Sequence, residues 1–489
     1  FTGIRKCNTF LLYINDPEVA TYDFRKVEKD GWIAQVRVAR AYYYLQLIKR
    51  YGGVPLVVSP YGTEYDYSGD RRASFEECAD FIISECRKAL STEEVTGNFG
   101  FRWNINDNER GKITRAFAYA VMSQTALYAA SPLWNDGSGR YTWDLAAEIT
   151  KEALDQCLNH GFALYRTKPA ATVAQNAYEY YFFTRSDPSR SWDKETIYES
   201  GARTNVWKYA GTPITPGMEK AGACPSQELV DSYETTDGEP VLNLAEPYSD
   251  AEHTVPNYNT KNRKYDAANP YANRDPRFYA SIYYNGARRY LDSRTDVVET
   301  YVGGNCGISD DRTDIRFTRT GYYMRKFNNY RSSVEIDADG FIRIFRLAEL
   351  YLNFAEAAYN AKGPDVLVKS TVGGAAMSAR AAVNAVRNRV GMPELPRGLS
   401  KETFELRYRN ERRVELAFEE HRFFDVRRWK ILAGTDGFVT GMQINRSLSG
   451  DYTYKRIKLM DRDTKSDKYL MFPIGQAEVD KMREHTGVD

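Results

Sequence analysis

The sequence predicts a mainly α-helical protein in which tetratricopeptide-like helix pairs form a solenoid and carry a large irregular insertion. Helical periodicity runs through the first 160 residues and returns after residue 341. Between residues 161 and 340 it disappears, and this stretch holds ten of the 18 prolines and 19 of the 37 tyrosines. We divide the chain into an N-terminal helical part (1–160), an irregular aromatic-rich part (161–340), C-terminal helix pairs (341–435) and a tail that packs back on the core (436–489).

Helices are predicted in the N-terminal part over residues 1–14, 31–50, 74–90, 112–130 and 143–159. The second ends at Tyr51-Gly52-Gly53, because glycine interrupts a helix. The third opens with a capping box formed by Ser74 and Glu77. The fourth ends at Ser131-Pro132, because proline disfavours the helical conformation of the residue before it. Gly161 provides a C-cap for the fifth.

The irregular part has two short predicted elements, a strand over 195–200 and a helix over 226–233 that is capped by Ser226. A long irregular stretch inside a compact protein is either functional or disordered. Disordered segments are poor in aromatic residues, whereas this one is rich in them. We therefore interpret residues 161–340 as an ordered ligand-binding part.

The C-terminal part contains predicted helices over 345–360, 376–390, 401–420 and 422–432, and the tail contains a predicted strand over 468–474. Polar residues in the first of these helices recur at spacings of 3, 4, 3 and 4: Arg346, Glu349, Asn353, Glu356 and Asn360. So narrow a polar stripe indicates a helix that is covered on most sides by other helices. Successive helix pairs of about 30 to 45 residues are typical of a tetratricopeptide-like solenoid.

Composition excludes several classes of function. Lys+Arg (67) and Asp+Glu (66) nearly cancel, which argues against nucleic-acid binding, since that requires excess positive charge. No run of about 18 apolar residues predicts a transmembrane helix. The four histidines are scattered and the six cysteines form no CxxC pair, so we expect no metal site and no cofactor. No nucleotide-binding or nucleophile motif is present, and we expect no catalytic residue.

Aromatic side chains next to asparagines are the strongest candidates for a binding site. Sugars present flat C–H faces and hydroxyl rims, so proteins bind them with aromatic faces and polar side chains. Three loop stretches combine these residue types, at 102–108, 205–209 and 257–271. The candidate ligand-binding residues are Trp103, Asn106, Trp207, Tyr209, Tyr258 and Tyr271.

The most distinctive string is the charged stretch 409–430. Glu411 and Glu415 are spaced i,i+4, as are Arg409 and Arg413. Physical reasoning alone predicts a salt-bridged helix pair. In it, Arg412, Glu415 and Glu419 form a ladder along one exposed face, and each pair contributes about 0.3–0.5 kcal/mol.

This string resembles the C-terminal signature of the SusD/RagB family. The match is close at Glu411-Arg412-Arg413, at residues 415–419 and at Arg427-Arg428-Trp429. It departs at Glu420, where the family usually has glycine, and at Phe423, where it usually has tryptophan. Further matches follow in the family's order at residues 41–57, 111–116, 127–135, 228–238, 274–278, 346–352 and 469–474.

The resemblance implies a SusD-like lipoprotein on the extracellular face of the cell outer membrane. It implies capture of glycans, or in some members of peptides, for a SusC-like TonB-dependent transporter, without catalysis. It also implies membrane attachment through an N-terminal lipid that is not present in this chain, whose N-terminus we expect to be truncated. Residues 412–429 would be structural, and no ligand contact carries over by motif. A peptide-binding member, a glycoside hydrolase and a scaffold without a small ligand remain the alternatives.

Overall fold

The mainly α-helical fold with an irregular insertion is confirmed in the computed structural model of the chain. The structure describes residues 2–19, 24–62, 64–66, 69–95, 99–106, 109–168, 174–182, 193–202, 210–211, 213–214, 220–290, 295–309, 311, 313–328 and 342–486. In these ranges the strands form two-stranded antiparallel pairs. The core therefore consists of packed helices rather than of a sheet.

The N-terminal helices lie close to their predicted positions. They are α1 (Thr2–Tyr13), α2 (Lys26–Tyr51), α3 (Phe75–Leu90), α4 (Arg115–Ala130) and α5 (Trp143–Asn159). The capping box of α3 is present, with the Ser74 side chain accepting from the Glu77 N–H. Helix α4 begins later than predicted because Thr114 caps it. Every residue of α4 is buried, and α4 is the central helix against which α2, α3 and α5 pack.

The irregular part contains short elements joined by loops. These are α6 (Ala177–Phe182), β1 (Thr196–Glu199), α7 (Gln227–Ser232), α8 (Pro276–Ser281), β2 (Ile282–Tyr283), β3 (Arg288–Tyr290), β4 (Thr295–Val297) and β5 (Tyr323–Met324). The predicted strand at 195–200 and helix at 226–233 are both confirmed. Strand β1 pairs with β6 (Arg343–Arg346), so the irregular part is joined directly to the start of the C-terminal helices.

The C-terminal part contains α9 (Leu347–Lys362), α10 (Ala379–Arg389), α11 (Lys401–Glu415), α12 (His421–Arg428) and α13 (Leu432–Thr435). The predicted helix 401–420 is too long, because α11 ends at Glu415. Phe418 and Glu420 both have φ of 64°. These two left-handed residues lie in the turn between the helices, and Glu420 is the N-cap at which α12 begins.

The tail differs most from its prediction. It begins with a long β-hairpin, β7 (Phe438–Arg446) and β8 (Tyr452–Asp461), which the sequence analysis missed. Strand β7 does not alternate between buried and exposed residues, so it lacks the usual sequence signal of a strand. The predicted strand 468–474 is wrong, because Asp467–Leu470 forms a 3-10 turn capped by Ser466. Helix α14 (Gln476–Thr486) follows.

Helix α9 is covered on most sides, as its spacing predicts, and its polar residues Glu349, Asn353 and Glu356 are buried too. Glu356 accepts hydrogen bonds from Arg428 Nη2 (2.7 Å) and Trp429 Nε1 (2.6 Å). Asn353 Oδ1 accepts from Arg412 Nη1 (2.9 Å). The charged stretch therefore packs Arg412 and Arg428 against α9 rather than exposing them to water.

The exposed ladder predicted for Arg412, Glu415 and Glu419 is wrong. Arg412 and Glu415 are fully buried, and the Glu419 side chain is almost so. Arg412 Nε donates to Asp425 Oδ2 at 2.8 Å, and Glu419 Oε1 accepts from Lys326 Nζ at 2.7 Å. The i,i+4 spacing is the same on an exposed helix face and in a buried network, so the spacing could not distinguish them.

The carboxylate of Glu415 lies at the centre of a buried charge network. It accepts from Arg346 Nη1 (2.6 Å), from Arg277 Nη1 (3.0 Å) and from Arg389. Glu195 shares two of these arginines, accepting from Arg346 at 2.9 Å and from Arg389 at 3.0 Å. Burial opposes the charged form of Glu415, but the guanidiniums of Arg389, Arg346 and Arg277 hold its pKa well below the ordinary value.

We predict that Glu415→Gln lowers the free energy of unfolding by about 3–5 kcal/mol, because it leaves buried arginines without a full counter-charge. Urea denaturation followed by circular dichroism measures this. The matched control is Glu478→Gln, which removes a solvent-exposed ion pair with Lys481 and should change the free energy by less than about 0.5 kcal/mol. Equal effects of the two substitutions would contradict the network's role.

We predict that Glu420→Gly stabilises the protein by about 0.5–1 kcal/mol, because glycine adopts a positive φ without the steric cost of a Cβ. The same denaturation experiment measures it. Glu478→Gly, in the regular helix α14, is the control and should instead destabilise by about 1 kcal/mol. A loss of stability in Glu420→Gly would show that the Glu420 side chain contributes more than its backbone strain costs.

Candidate functional site

A cleft of about 480 Å³ lies between the loop before α4, the turn after α5 and strand β1. Its lining comes from residues 103–106, from Lys112 and Thr114, from residues 160–162, and from residues 193–194 and 196–199. Two of the candidate binding residues, Trp103 and Asn106, are in this lining. The caps of α4 and α5 fix two of these segments, so the cleft is built on the rigid helical core.

Stacked rings form one wall of the cleft. The His160 imidazole lies parallel to the Trp103 ring, with centroids 3.6 Å apart and an interplanar angle of 12°. Tyr119 is also parallel to Trp103, at 5.7 Å. The Nδ1 atom of His160 is 2.8 Å from the Gln156 carbonyl oxygen, which can only accept, so Nδ1 donates and fixes the ring. Trp103 is 9% exposed, and a ligand would meet His160 as well as the edge of Trp103.

A second aromatic side chain, Tyr198, lines the cleft from β1. Its ring stacks on Phe117 of the central helix, with centroids 3.9 Å apart. Its hydroxyl donates to the Gly111 carbonyl at 3.3 Å. The ring is half-buried, and its contacts with Phe117 and Gly111 hold it in one position. Binding a ligand therefore costs it little further conformational entropy.

Glu109 joins the polar residues at the edge of the cleft by hydrogen bonds. Its carboxylate accepts from the Asn106 backbone N–H (3.0 Å), from Lys112 Nζ (2.8 Å) and from Arg102 Nη2 (2.6 Å). Burial favours its neutral form, but these hydrogen bonds and charges lower the pKa of Glu109 to about 2. The Asn106 backbone is thus fixed, while its side chain is exposed and has no hydrogen-bond partner among the described residues.

A second cleft of about 380 Å³ adjoins the first and shares Asn106 and Lys112 with it. Its aromatic residues are Trp32 and Phe99. Phe99 is 44% exposed and lies under the Arg25 guanidinium at 4.4 Å. We call the two clefts together the binding groove. Each cleft has aromatic rings in its lining, and the polar residues Asn106 and Lys112 line both.

The other candidate residues do not join this groove. Trp207 and Tyr209 lie outside the described residues. Tyr258 is 39% exposed and packs against Tyr265. Tyr271 was predicted to contact ligand, but its side chain is only 5% exposed and packs in a core cluster. This burial leaves its ring no surface for a ligand. Four aromatic rings pack around the Tyr271 ring: Phe278, Tyr284, Tyr322 and Tyr454.

Sequence reasoning missed His160, Tyr198 and Trp32. His160 is a lone histidine at the end of α5, and no motif points to its contact with Trp103, 57 positions earlier. Tyr198 lies in the predicted strand 195–200, whose residues alternate weakly along the sequence. In the structure Thr196 and Tyr198 are less buried than Ile197 and Glu199. The alternation along the sequence was the one signal that pointed to Tyr198.

The acidic residues of the first cleft are engaged in structural contacts. Glu199 Oε1 accepts from Arg110 Nε at 3.0 Å. Asp193 accepts from the backbone N–H groups of Glu195 and Thr196, both at 3.1 Å. Across the described ranges, no group of three or more His, Cys, Asp or Glu side chains is placed to hold a metal ion. In the same ranges no helix has the length and apolar character needed to cross a bilayer.

Comparison with known proteins identifies the family. The family model described as the SusD family matches residues 181–486, more than half of the sequence. The chain belongs to the SusD family. This confirms the resemblance seen in the charged stretch. No curated protein matches the chain.

Solved structures of SusD-like proteins have the same fold over nearly the whole chain. A SusD-like protein from Bacteroides fragilis is 26% identical, covering 98% of this chain and 82% of the other, with a TM-score of 0.73. A SusD-like carbohydrate-binding protein from the same species is 20% identical, with coverages of 98% and 82% and a TM-score of 0.68. Surface glycan-binding protein A from Bacteroides uniformis is 18% identical, with coverages of 98% and 81% and a TM-score of 0.58.

We predict that Tyr271→Ala lowers the free energy of unfolding by about 3–5 kcal/mol, because it removes a ring from a packed core. Thermal and urea unfolding measure this change. Tyr258→Ala is the matched control and should cost less than about 1 kcal/mol, since its ring is largely exposed. A Tyr271→Ala protein of unchanged stability would return this residue to the list of binding candidates.

Proposed function

We propose that this SusD-family protein is a surface glycan-binding protein that captures oligosaccharides in the binding groove. In this proposal it stands on the extracellular face of the outer membrane, anchored by an N-terminal lipid, and passes its cargo to a SusC-like TonB-dependent transporter. It performs no catalysis. The observation that carries the proposal is the groove, whose two clefts share Asn106 and are lined by the His160–Trp103 stack, by Tyr198 and by Trp32.

The chemistry of the groove suits a sugar chain. Pyranose C–H faces stack on aromatic rings, and the hydroxyl groups around them need donors and acceptors. The rings of His160 and Tyr198 are held by packing, and the Asn106 amide supplies both a donor and an acceptor. Each such contact contributes about 1 kcal/mol, and we expect a shallow site of this kind to bind with a Kd of micromolar to millimolar order. Weak binding suits a protein that must release its cargo to a transporter.

The names of relatives support the same class of ligand. One similar structure is that of a SusD-like carbohydrate-binding protein, and another is that of a surface glycan-binding protein. A peptide would instead need pockets for its side chains and partners for its backbone. The first cleft has a mixed lining of rings, amides and hydroxyls rather than deep apolar pockets, which favours sugar.

We predict that His160→Ala and Asn106→Ala each weaken binding of the preferred glycan by about fivefold, which corresponds to the loss of about 1 kcal/mol. The wild-type protein is first tested against a polysaccharide panel and a peptide library by native affinity gels and calorimetry. The variants are then measured with the glycan that retards the wild type. Tyr258→Ala, an exposed tyrosine outside the groove, is the control and should bind like the wild type.

Several outcomes count against the proposal. Unchanged retardation of both variants would place the glycan elsewhere on the protein. Binding of peptides without any glycan would make the protein a peptide-capturing member of the family. Release of reducing ends from a bound polysaccharide would contradict the absence of catalysis.

A further inference from the structure

The two clefts of the binding groove share one wall, which is the end of the loop that joins α3 to α4. This loop lines the first cleft through residues 103–106, Lys112 and Thr114. It lines the second cleft through Asn106, Glu109 and Lys112. The path of the loop therefore sets the shape of both clefts.

The base of the loop is closed by Arg115, the first residue of α4. Its backbone N–H donates to the Arg102 carbonyl at 2.8 Å. Its buried guanidinium donates to the carbonyls of Phe101 (2.9 Å) and Leu90 (3.0 Å), and Leu90 is the last residue of α3. These bonds tie the base of the loop to two rigid helices, but none of them involves Asn106 in its middle.

Glu109 holds the middle of the loop. Its carboxylate accepts from the Asn106 N–H, from Lys112 Nζ and from Arg102 Nη2. Its backbone adds two more bonds, because its N–H donates to the Asn106 carbonyl at 2.9 Å and its carbonyl accepts from the Lys112 N–H at 3.1 Å. Glu109 therefore bonds to residues on both sides of it, and it holds both backbone polar groups of Asn106.

The charge of Glu109 is needed for this arrangement. Each of its three side-chain partners is a donor, and the side chains of Lys112 and Arg102 are cations. An amide has a single acceptor atom, and its NH₂ group would face these donors. Burial opposes the charged form, but the hydrogen bonds and neighbouring charges lower the pKa of Glu109 to about 2. The carboxylate is therefore charged at neutral pH.

We propose that Glu109 is a positioning residue for ligand binding, which holds the Asn106 side chain in place for the hydroxyl groups of the glycan. This assignment rests on the function proposed for the groove. Glu109 acts through Asn106, whose backbone it holds while the Asn106 amide stays exposed to the ligand. An amide on a fixed loop loses less conformational freedom on binding than the same amide on a loose loop.

The expected effect of Glu109 on affinity is limited by the contact that it supports. Removal of the Asn106 side chain is expected to weaken glycan binding by about fivefold. A residue that acts through Asn106 should have no larger effect. We therefore expect Glu109→Gln to weaken binding by about threefold to fivefold.

Calorimetry with the glycan that the wild type retains measures this loss. The matched control is Asp314→Asn. Asp314 is also a loop carboxylate that accepts from a backbone N–H (3.0 Å) and from a guanidinium Nε (2.9 Å), both of Arg316. Its hydrogen bonds with Arg316 likewise lower its pKa to about 2. Asp314 lines neither cleft, so Asp314→Asn should bind the glycan like the wild type.

A double-mutant cycle separates positioning from a general structural role. In an Asn106→Ala background, Glu109→Gln should cause no further loss, because the group that it positions is absent. In a His160→Ala background its full effect should remain. A general loss of structure would instead weaken binding by the same factor in both backgrounds.

A second measurement needs no ligand. The Asn106 backbone N–H donates to the Glu109 carboxylate, so its hydrogen exchange reports on this bond. We expect exchange at Asn106, followed by nuclear magnetic resonance, to be at least about tenfold faster in Glu109→Gln than in the wild type. Asp314→Asn should leave it unchanged.

Three results overturn the assignment: glycan binding by Glu109→Gln equal to that of the wild type, an equal loss in the Asn106→Ala background, or unchanged exchange at Asn106. If Glu109→Gln does not fold, as judged by circular dichroism, Arg102→Gln takes its place. It removes a partner of Glu109 that lines neither cleft, and unweakened binding by that folded variant also overturns the assignment.

Failure of the proposed function is a different result. A wild-type protein that binds no glycan overturns the proposed function, and the role of Glu109 in binding falls with it. A wild-type protein that binds a glycan, with Glu109→Gln binding equally well, overturns the role of Glu109 alone.

Discussion

The buried carboxylate of Glu415 is the constraint on which much of the C-terminal half depends. A buried charge is tolerated only when it is paired, and here the partners come from three separate elements: Arg277 of α8, Arg346 at the end of β6, and Arg389 of α10. The network therefore fixes the irregular part against the helices in a single arrangement. It also explains why the chain turns sharply after residue 415, since Glu419 must return to reach Arg346 and Lys326.

The seam along α9 plays the same role on the other side of the charged stretch. Arg412 and Arg428 reach Asn353 and Glu356, so α11, α12 and α9 are joined by hydrogen bonds as well as by apolar packing. Such a scaffold holds its loops in place, and proteins commonly place binding residues on loops carried by rigid elements. The groove follows this pattern, with its rings held by α4, α5 and β1.

The chemistry of the groove suits the ligand proposed for it. In the groove, packed rings and an exposed amide give many weak contacts, which suit repeated capture and release of a sugar chain. The charged stretch contains buried arginines that pair inside the core, such as Arg412, and half-buried arginines nearer the surface, such as Arg413.

The sequence by itself determined the N-terminal helices, because capping residues such as Ser74 and interruptions such as Gly52-Gly53 act locally. It also determined the family, through the charged stretch at 409–430. Only the tertiary structure decided that Glu415 is buried, that Tyr271 is in the core and that His160 covers Trp103. These facts depend on contacts between residues far apart in the chain. Residue spacing along a helix or loop is the same whether the face it defines meets water, a ligand or another helix.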